Sequence, residues 1–236
     1  IEVNPRASRT VPFISKVIDV PLAKISSQLA IGKKLEKLHL ESHANNELIA
    51  VKKPVFPFNK FPSQDIFLSP EMRSTGEVIG FDKNLGAAYA KAELGAGNNL
   101  PTDGCIFISV NDNDKNEIVK IARDLDEMNF QIIATSGTSK LLKNNGLLCK
   151  SIFKVGEGRP HIVDSIKNNQ IDLIINTPLG AQSRYDEYEI GKAAIKHSIP
   201  VLTTISGAQA AVRAIRIMQN KSLSYSSLQK IFKTHA

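Results

Sequence analysis

Four short stretches place hydroxyls, amides and cations where an apolar run gives way to a helical pattern. "ISVNDNDK" puts Ser109 at a strand end and Lys115 a few residues later. "QIIATSGTSKLL" ends a strand at Thr135, turns through Ser136 and Gly137, and begins a helix at Thr138. "FKVGEGRPH" supplies Lys154 and Arg159, and "IINTPLG" supplies Asn176 and Thr177. Backbone N–H groups at a helix start lack intrahelical partners and carry positive partial charge, so hydroxyls and lysines beside them suit a phosphate or carboxylate. No nucleophile, base and orienting group stand together in these stretches, and no carboxylate pair is placed for acid–base work. The chemistry expected is therefore binding of an anion, not its transformation.

Each of these residues also has a simpler role. Thr138 suits a helix cap. Lys115 and Lys154 suit a solvated surface, and Asn176 suits a turn. Arg159 can pair with Glu157, and His161 reads as a first-turn helix residue. What favours a site is convergence on one edge of one sheet. A second candidate opens the chain: in "IEVNPRASRT", apolar residues alternate with Glu2 and Asn4 and are followed by Arg6 and Arg9. One face of such an extended segment would present ligands for a cation and its phosphates.

The elements that must position these residues differ between the two halves. From Gly104 onward, "CIFISV", "QIIAT", "SIFKV", "DLIIN" and "PVLTT" read as strands. They alternate with the helical patterns "KNEIVKIARDLDEMN", "SKLLKNNG", "PHIVDSIKNN", "DEYEIGKAAIKHS" and "GAQAAVRAIRIMQN". Nearly uniformly apolar strands, each followed by a helix, imply an α/β fold: a doubly wound, mainly parallel five-stranded sheet with helices on both faces. Ligands of such sheets collect outside the carboxyl ends of the strands, where the four polar stretches lie. The first hundred residues are irregular. "PLAKISSQLAIGKKL" reads as one amphipathic helix after Pro21, "AVKKPVFPFNKFP" as an edge or extended segment, "STGEVIGFD" as a short strand and "NLGAAYAKAELGAG" as a helix. This half is not expected to form a domain alone.

Composition removes several function classes. The net charge of +7 splits evenly, +3 over residues 1–100 and +4 over 101–236, and no aromatic residues interleave with a basic run. A nucleic-acid partner is not expected. Cys105 and Cys149 have no CxxC spacing, which argues against a disulfide framework or structural zinc. No apolar run approaches the ~18 residues of a membrane span and no signal peptide is evident, so a cytoplasmic protein without a membrane partner is expected.

Six motifs in order resemble one family: "IEVNPRASRTVPFISKVIDVPLAKI", "FPFNKFP", "PEMRSTGEVIG", "ATSGT", "EGRPHIVD" and "INTPLG". Together they are similar to the C-terminal part of the large subunit of carbamoyl-phosphate synthetase, over essentially the whole chain. That family makes carbamoyl phosphate from bicarbonate, glutamine-derived ammonia and two ATP, for pyrimidine and arginine synthesis. The resemblance implies that residues 1–95 are the end of an ATP-grasp unit and its connection, and 96–236 a methylglyoxal synthase-like regulatory domain. It implies Glu2 and Asn4 as ligands of Mg²⁺ or Mn²⁺ bound with ATP, and Arg6 and Arg9 near the phosphates. The rest of that catalytic site is expected upstream, so this chain alone should not hydrolyse ATP. The resemblance also implies an effector site for UMP or IMP at Lys115, Thr135, Gly137, Thr138, Lys154 and Asn176, with Ser109 and Thr177 nearby. Animal mitochondrial members bind N-acetylglutamate instead. The implied partners are the remainder of the large subunit and a small glutamine amidotransferase subunit.

Three departures from the family pattern qualify these expectations. "VKK" places Lys53 where a glutamate would meet the amine of ornithine, and "PVLTT" places Val201 where a tyrosine is expected, so ornithine activation should be weak or absent. "GAQSRYDEY" has Ala181 and Gln182 where many relatives carry arginines, which leaves the nucleotide preference open. Two other functions compete with this reading. A methylglyoxal synthase needs an aspartate base where this chain has Thr177, and a structural or oligomerisation module would retain only a vestigial pocket.

Overall fold

The computed structural model describes residues 6–38, 47–56, 76–177 and 184–231. Glu2, Asn4, Ala181 and Gln182 therefore lie outside the described residues. The first two helices, α1 (Thr10–Ile18) and α2 (Leu22–Ala30), form a hairpin, and between residues 6 and 38 only Val20 is buried. α2 starts after Pro21 as its pattern predicts. α1 replaces the extended run expected to continue through Arg9, which instead sits in αR conformation at the helix N-cap.

Two strands follow, β1 (Ile49–Val55) and β2 (Gly76–Asp82), paired antiparallel with Ile49 opposite Asp82 and Val55 opposite Gly76. In a two-stranded ribbon both strands are edges, so Pro54 is tolerated. Helix α3 (Leu85–Gly95) begins at Asn84, whose side-chain oxygen accepts the N–H groups of Gly86 at 2.8 Å and Ala87 at 3.3 Å. α3 packs between β2 and the last long helix, and two glycines allow the approach. A Cβ on Gly80 would strike the carbonyl of Ala88, and one on Gly86 would lie 2.5 Å from the carbonyl oxygen of Arg213.

The remaining elements alternate as the sequence predicts: β3 (Cys105–Val110), α4 (Lys115–Glu127), β4 (Gln131–Thr135), α5 (Ser136–Asn144), β5 (Lys150–Ile152), α6 (Ile162–Lys167), β6 (Leu173–Thr177), α7 (Arg184–Lys196), β7 (Val201–Leu202), α8 (Ile205–Asn220) and the short α9 (Leu228–Ile231). The strands form one parallel five-stranded sheet in the order β5-β4-β3-β6-β7. Successive side chains of a strand point to opposite faces. Accordingly Ile106, Ile108 and Ile175 join a core with α3, α4, α5 and α8, while Phe107 and Ile174 join one with α6 and α7.

Two strands are shorter than their sequence patterns. "SIFKV" pairs only to Ile152, with Phe153 making an isolated bridge to His161, and "PVLTT" contributes only Val201 and Leu202. Both are edge strands with a neighbour on one side only, so fewer ladder bonds extend them. The chain winds from β3 through β4 to β5 in one direction, then returns to β6 and β7 on the other side. This reversal makes the gap between β3 and β6 the topological switch point, where a ligand crevice opens at the carboxyl ends. No helix among the described residues is long and apolar enough to cross a membrane.

Candidate effector pocket

At the switch point the end of β3 is tied to the end of β6 through Asn111. Its backbone N–H donates to the Thr177 carbonyl at 3.2 Å, and its side-chain amide donates to that carbonyl at 3.0 Å and to the Thr177 hydroxyl at 3.2 Å. The same amide reaches Asp114 at 2.7 Å, and the Asn111 side-chain oxygen caps the following turn by accepting the N–H of Asn113. These bonds hold Ser109, Asn176 and Thr177 side by side.

The end of β4 brings a second set of hydroxyls. Thr135 Oγ1 lies 3.4 Å from Ser109 Oγ and 3.5 Å from Thr138 Oγ1, and the latter accepts the N–H of Val110 at 3.4 Å. All three contacts are long for hydrogen bonds, so the hydroxyls of Ser109 and Thr135 retain capacity for another partner. α5 starts directly at Ser136 with Thr135 as its N-cap residue, without the intervening turn expected at Ser136 and Gly137. Thr138 is therefore not a cap. It lies inside the first turn, 2% exposed, supporting Thr135 from behind.

Around these groups is a cavity of about 300 Å³ lined by Phe107, Ser109, Val110, Asn111, Asp112, Thr135, Lys154, Ile162, Asn176, Thr177, Asp186 and Ile190. Of the eight residues singled out in the sequence, Ser109, Thr135, Lys154, Asn176 and Thr177 meet in one lining. Thr138 stands behind it, and Gly137 is exposed on α5 and not in the lining. Lys115 reaches the cavity only through its ion pair with Asp112 at 2.5 Å. The hydrogen bond and charge of Lys115 hold the Asp112 carboxyl below its ordinary range.

Sequence reasoning placed no carboxylates here, yet Asp112 and Asp186 both line the cavity. Burial pushes the Asp186 carboxyl up, Lys154 opposes that shift and Glu157 adds to it. Asp112 is engaged by Lys115, so the two do not form a free acid–base pair. Asn111 and Asp186 had usable signals: an asparagine opening the turn "NDND" at a strand end, and an acid in the first turn of the helix after β6. Two other side-chain expectations change. Arg159 lies 4.0 Å from Asp164 instead of pairing with Glu157, whose carboxylate accepts the Lys154 backbone N–H at 3.0 Å. His161 is the N-cap residue of α6, and its backbone N–H donates to Asp164 at 3.1 Å.

Comparison with known proteins sets this pocket in a family. Residues 117–203 match the MGS-like domain. The carbamoyl phosphate synthase large chain of Nostoc sp. is 50% identical over 98% of this chain and 21% of its own length. The large chain of Archaeoglobus fulgidus is 48% identical over 98% of this chain and 22% of its own. In Methanopyrus kandleri the relative is the large chain's C-terminal section, 48% identical over 99% of this chain and 44% of its own length. Over nearly its whole length the chain is thus similar to carbamoyl phosphate synthase large chains, and in Methanopyrus kandleri to the part described as the C-terminal section. Among solved structures, methylglyoxal synthase from Elizabethkingia anophelis covers 58% of this chain and 94% of its own at 16% identity, with a TM-score of 0.41. The chain thus spans about a fifth of the full-length large chains it matches.

A second cavity, about 740 Å³, lies where β1 and the end of α3 meet α7 and β7. Lys53 and Val201, the two positions that depart from the ornithine pattern, both line it. The Lys53 ammonium contacts Glu93, which is 1% exposed and also accepts from Asn98 Nδ2 at 2.8 Å. Burial, followed by the adjacent Glu93 carboxylate, pushes the Tyr89 phenol far above its ordinary range.

Of the candidate ATP and metal residues only Arg6 and Arg9 are described, and neither lines either cavity. Arg6 is exposed with its guanidinium 3.5 Å from its neighbour's carbonyl, and Arg9 lines a shallow space of about 100 Å³ with Lys16, Lys52 and Glu77. Among the described residues no group of three or more His, Cys, Asp or Glu is placed to hold a metal ion.

Proposed function

We propose that this chain is the effector-binding section of a carbamoyl phosphate synthase large chain, and that the pocket at the switch point takes a nucleoside monophosphate, UMP or IMP. The observation that carries the reading is the meeting of Ser109, Thr135, Lys154, Asn176 and Thr177 in one cavity at the carboxyl ends of β3, β4 and β6. Lys154 and the Ser109 and Thr135 hydroxyls hold the phosphate, aided by N–H groups at the start of α5. Asn176 and the Asp186 carboxylate, an acceptor for a ribose diol, hold the nucleoside end. The apolar Phe107, Ile162 and Ile190 give the floor.

Residues 96–236 form the regulatory domain in this reading, and residues 1–95 the end of an ATP-grasp unit that docks on it through α3. ATP, Mg²⁺ or Mn²⁺, Glu2, Asn4, Arg6 and Arg9 serve the whole cytoplasmic enzyme, with the remainder of the large subunit and a small glutamine amidotransferase subunit as partners. Effector binding then acts by differential affinity for two arrangements of this section against the catalytic unit. At the position where a lyase on this fold would need a base, the Thr177 hydroxyl is engaged by Asn111, so no phosphate release from dihydroxyacetone phosphate is expected. Lys53 beside Glu93 gives ornithine a cation where an acid is required, so calorimetric titration of the full-length enzyme should show weak or absent ornithine binding; tight binding would contradict it.

Titrating this chain with UMP and IMP in parallel with uridine and inosine tests the pocket. Binding of the monophosphates with loss of most affinity for the nucleosides is expected. Equal affinity for both would remove the phosphate site from the account.

A further inference from the structure

Among the described residues, two carboxylates and one cation line the candidate effector pocket: Asp112, Asp186 and Lys154. A phosphate dianion placed there would be held by one charge and opposed by two. A second cation stands just outside the lining. The Lys115 ammonium lies 2.5 Å from Asp112 Oδ1 and reaches the cavity only through that carboxylate.

The turn that joins β3 to α4 fixes the backbone that carries this pair. Asn111 accepts the N–H of Asn113 at 2.9 Å, donates to Asp114 at 2.7 Å and to the Thr177 carbonyl at 3.0 Å, and the Lys115 N–H donates to the Asp112 carbonyl. The two side chains are less constrained. That of Asp112 is 89% exposed and that of Lys115 34%. An ion pair with one partner so exposed is screened by water and weakly held, so the Asp112 carboxylate turns into solvent at little cost. Among the described residues no other ion pair holds Lys115.

We infer that Asp112 is a tethered competitor for the Lys115 ammonium, which a ligand's phosphate must displace, and that it sets the negative charge at which Lys115 joins the site. For nucleotides the inference rests on the effector reading above, and it names the residue that tunes that site. A monoanion engages Lys154 and leaves Lys115 with Asp112. A phosphate monoester dianion offers more charge and three acceptor oxygens, so it draws both lysines while Asp112 turns out to water. The pocket is thus a one-lysine site for phosphodiesters and a two-lysine site for phosphate monoesters.

Inorganic phosphate at mildly alkaline pH, where it is a dianion, probes the exchange without a nucleoside, and dimethyl phosphate supplies the matching monoanion. Kd is read from the amide chemical shifts of Ser109 and Thr135 in the whole chain, and the same spectra show that each variant is folded. Asp112→Asn, with Asp112→Ser as a second variant, should tighten inorganic phosphate by about three-fold. Asp112→Asn with Lys115→Ala, which removes the pair without changing net charge, should bind inorganic phosphate more weakly than wild type and dimethyl phosphate equally well. Four results would overturn the inference: no gain with Asp112→Asn, the same gain without Lys115, an equal loss for dimethyl phosphate in the double variant, or phosphate binding to none of the proteins. UMP and IMP should follow the order of inorganic phosphate. If inorganic phosphate follows that order but neither nucleotide binds more tightly than it does, the effector reading fails and the exchange at Lys115 stands.

Discussion

Lys154 lines the candidate effector pocket and, among the described residues, no ion pair holds its side chain. A charge-assisted contact to phosphate contributes roughly 1.5–3 kcal/mol, and the exposure of Lys154 places this one at the lower end. Lys154→Ala should therefore weaken inorganic phosphate and nucleotide alike by about ten-fold, measured by titration calorimetry; equal affinities would misplace the phosphate. Asp186 tests the other end of the pocket. Its carboxyl is raised chiefly by burial, against the pull of Lys154 and with the push of Glu157. The native state thus binds this proton more tightly than the unfolded chain, and stability falls as pH rises above the ordinary carboxylate value of 3.8. Asp186→Asn should melt higher than wild type at neutral pH, the gain fading as pH drops through that range. A gain that grows in acid would reverse the assignment. Strand-end position and residue type made Ser109, Thr135, Lys154, Asn176 and Thr177 legible in the sequence. Asn111 and Asp186 carry only the weak signals of a turn asparagine and a first-turn acid, and their roles in the pocket depend on a bond across to β6 and on the rotation of α7.

At the scale of elements, all five strands of the sheet and the helices between them follow from apolar runs and helical periodicity. The edge strands β5 and β7 do not extend as far as their patterns because one-sided pairing, not residue type, sets their ends. α1 is not legible in the sequence because "VPFISKVI" is apolar enough to pass for a strand and buries nothing that would mark one face. The docking of α3 was equally hidden, for it rests on missing side chains. Gly86→Ala forces a Cβ to within 2.5 Å of the Arg213 carbonyl oxygen, so α3 and α8 must part. The expected loss is about 2 kcal/mol of stability, read by urea denaturation; an unchanged midpoint would show that the two helices are not in contact.

In the proposed reading the five-stranded sheet is the regulatory part, and the β1–β2 ribbon with α3 belongs with a larger catalytic unit. Since a ligand that binds only the folded state stabilises it, occupancy at 100 times Kd adds about 2.7 kcal/mol, roughly 5–10 °C for a chain of this length. Thermal denaturation of this chain across a concentration series of UMP and of IMP decides whether the pocket takes a nucleotide. A saturable rise in melting temperature is expected with at least one of the two, absent with the matching nucleoside. A melting temperature indifferent to both nucleotides at all concentrations would contradict it and leave a structural module in its place.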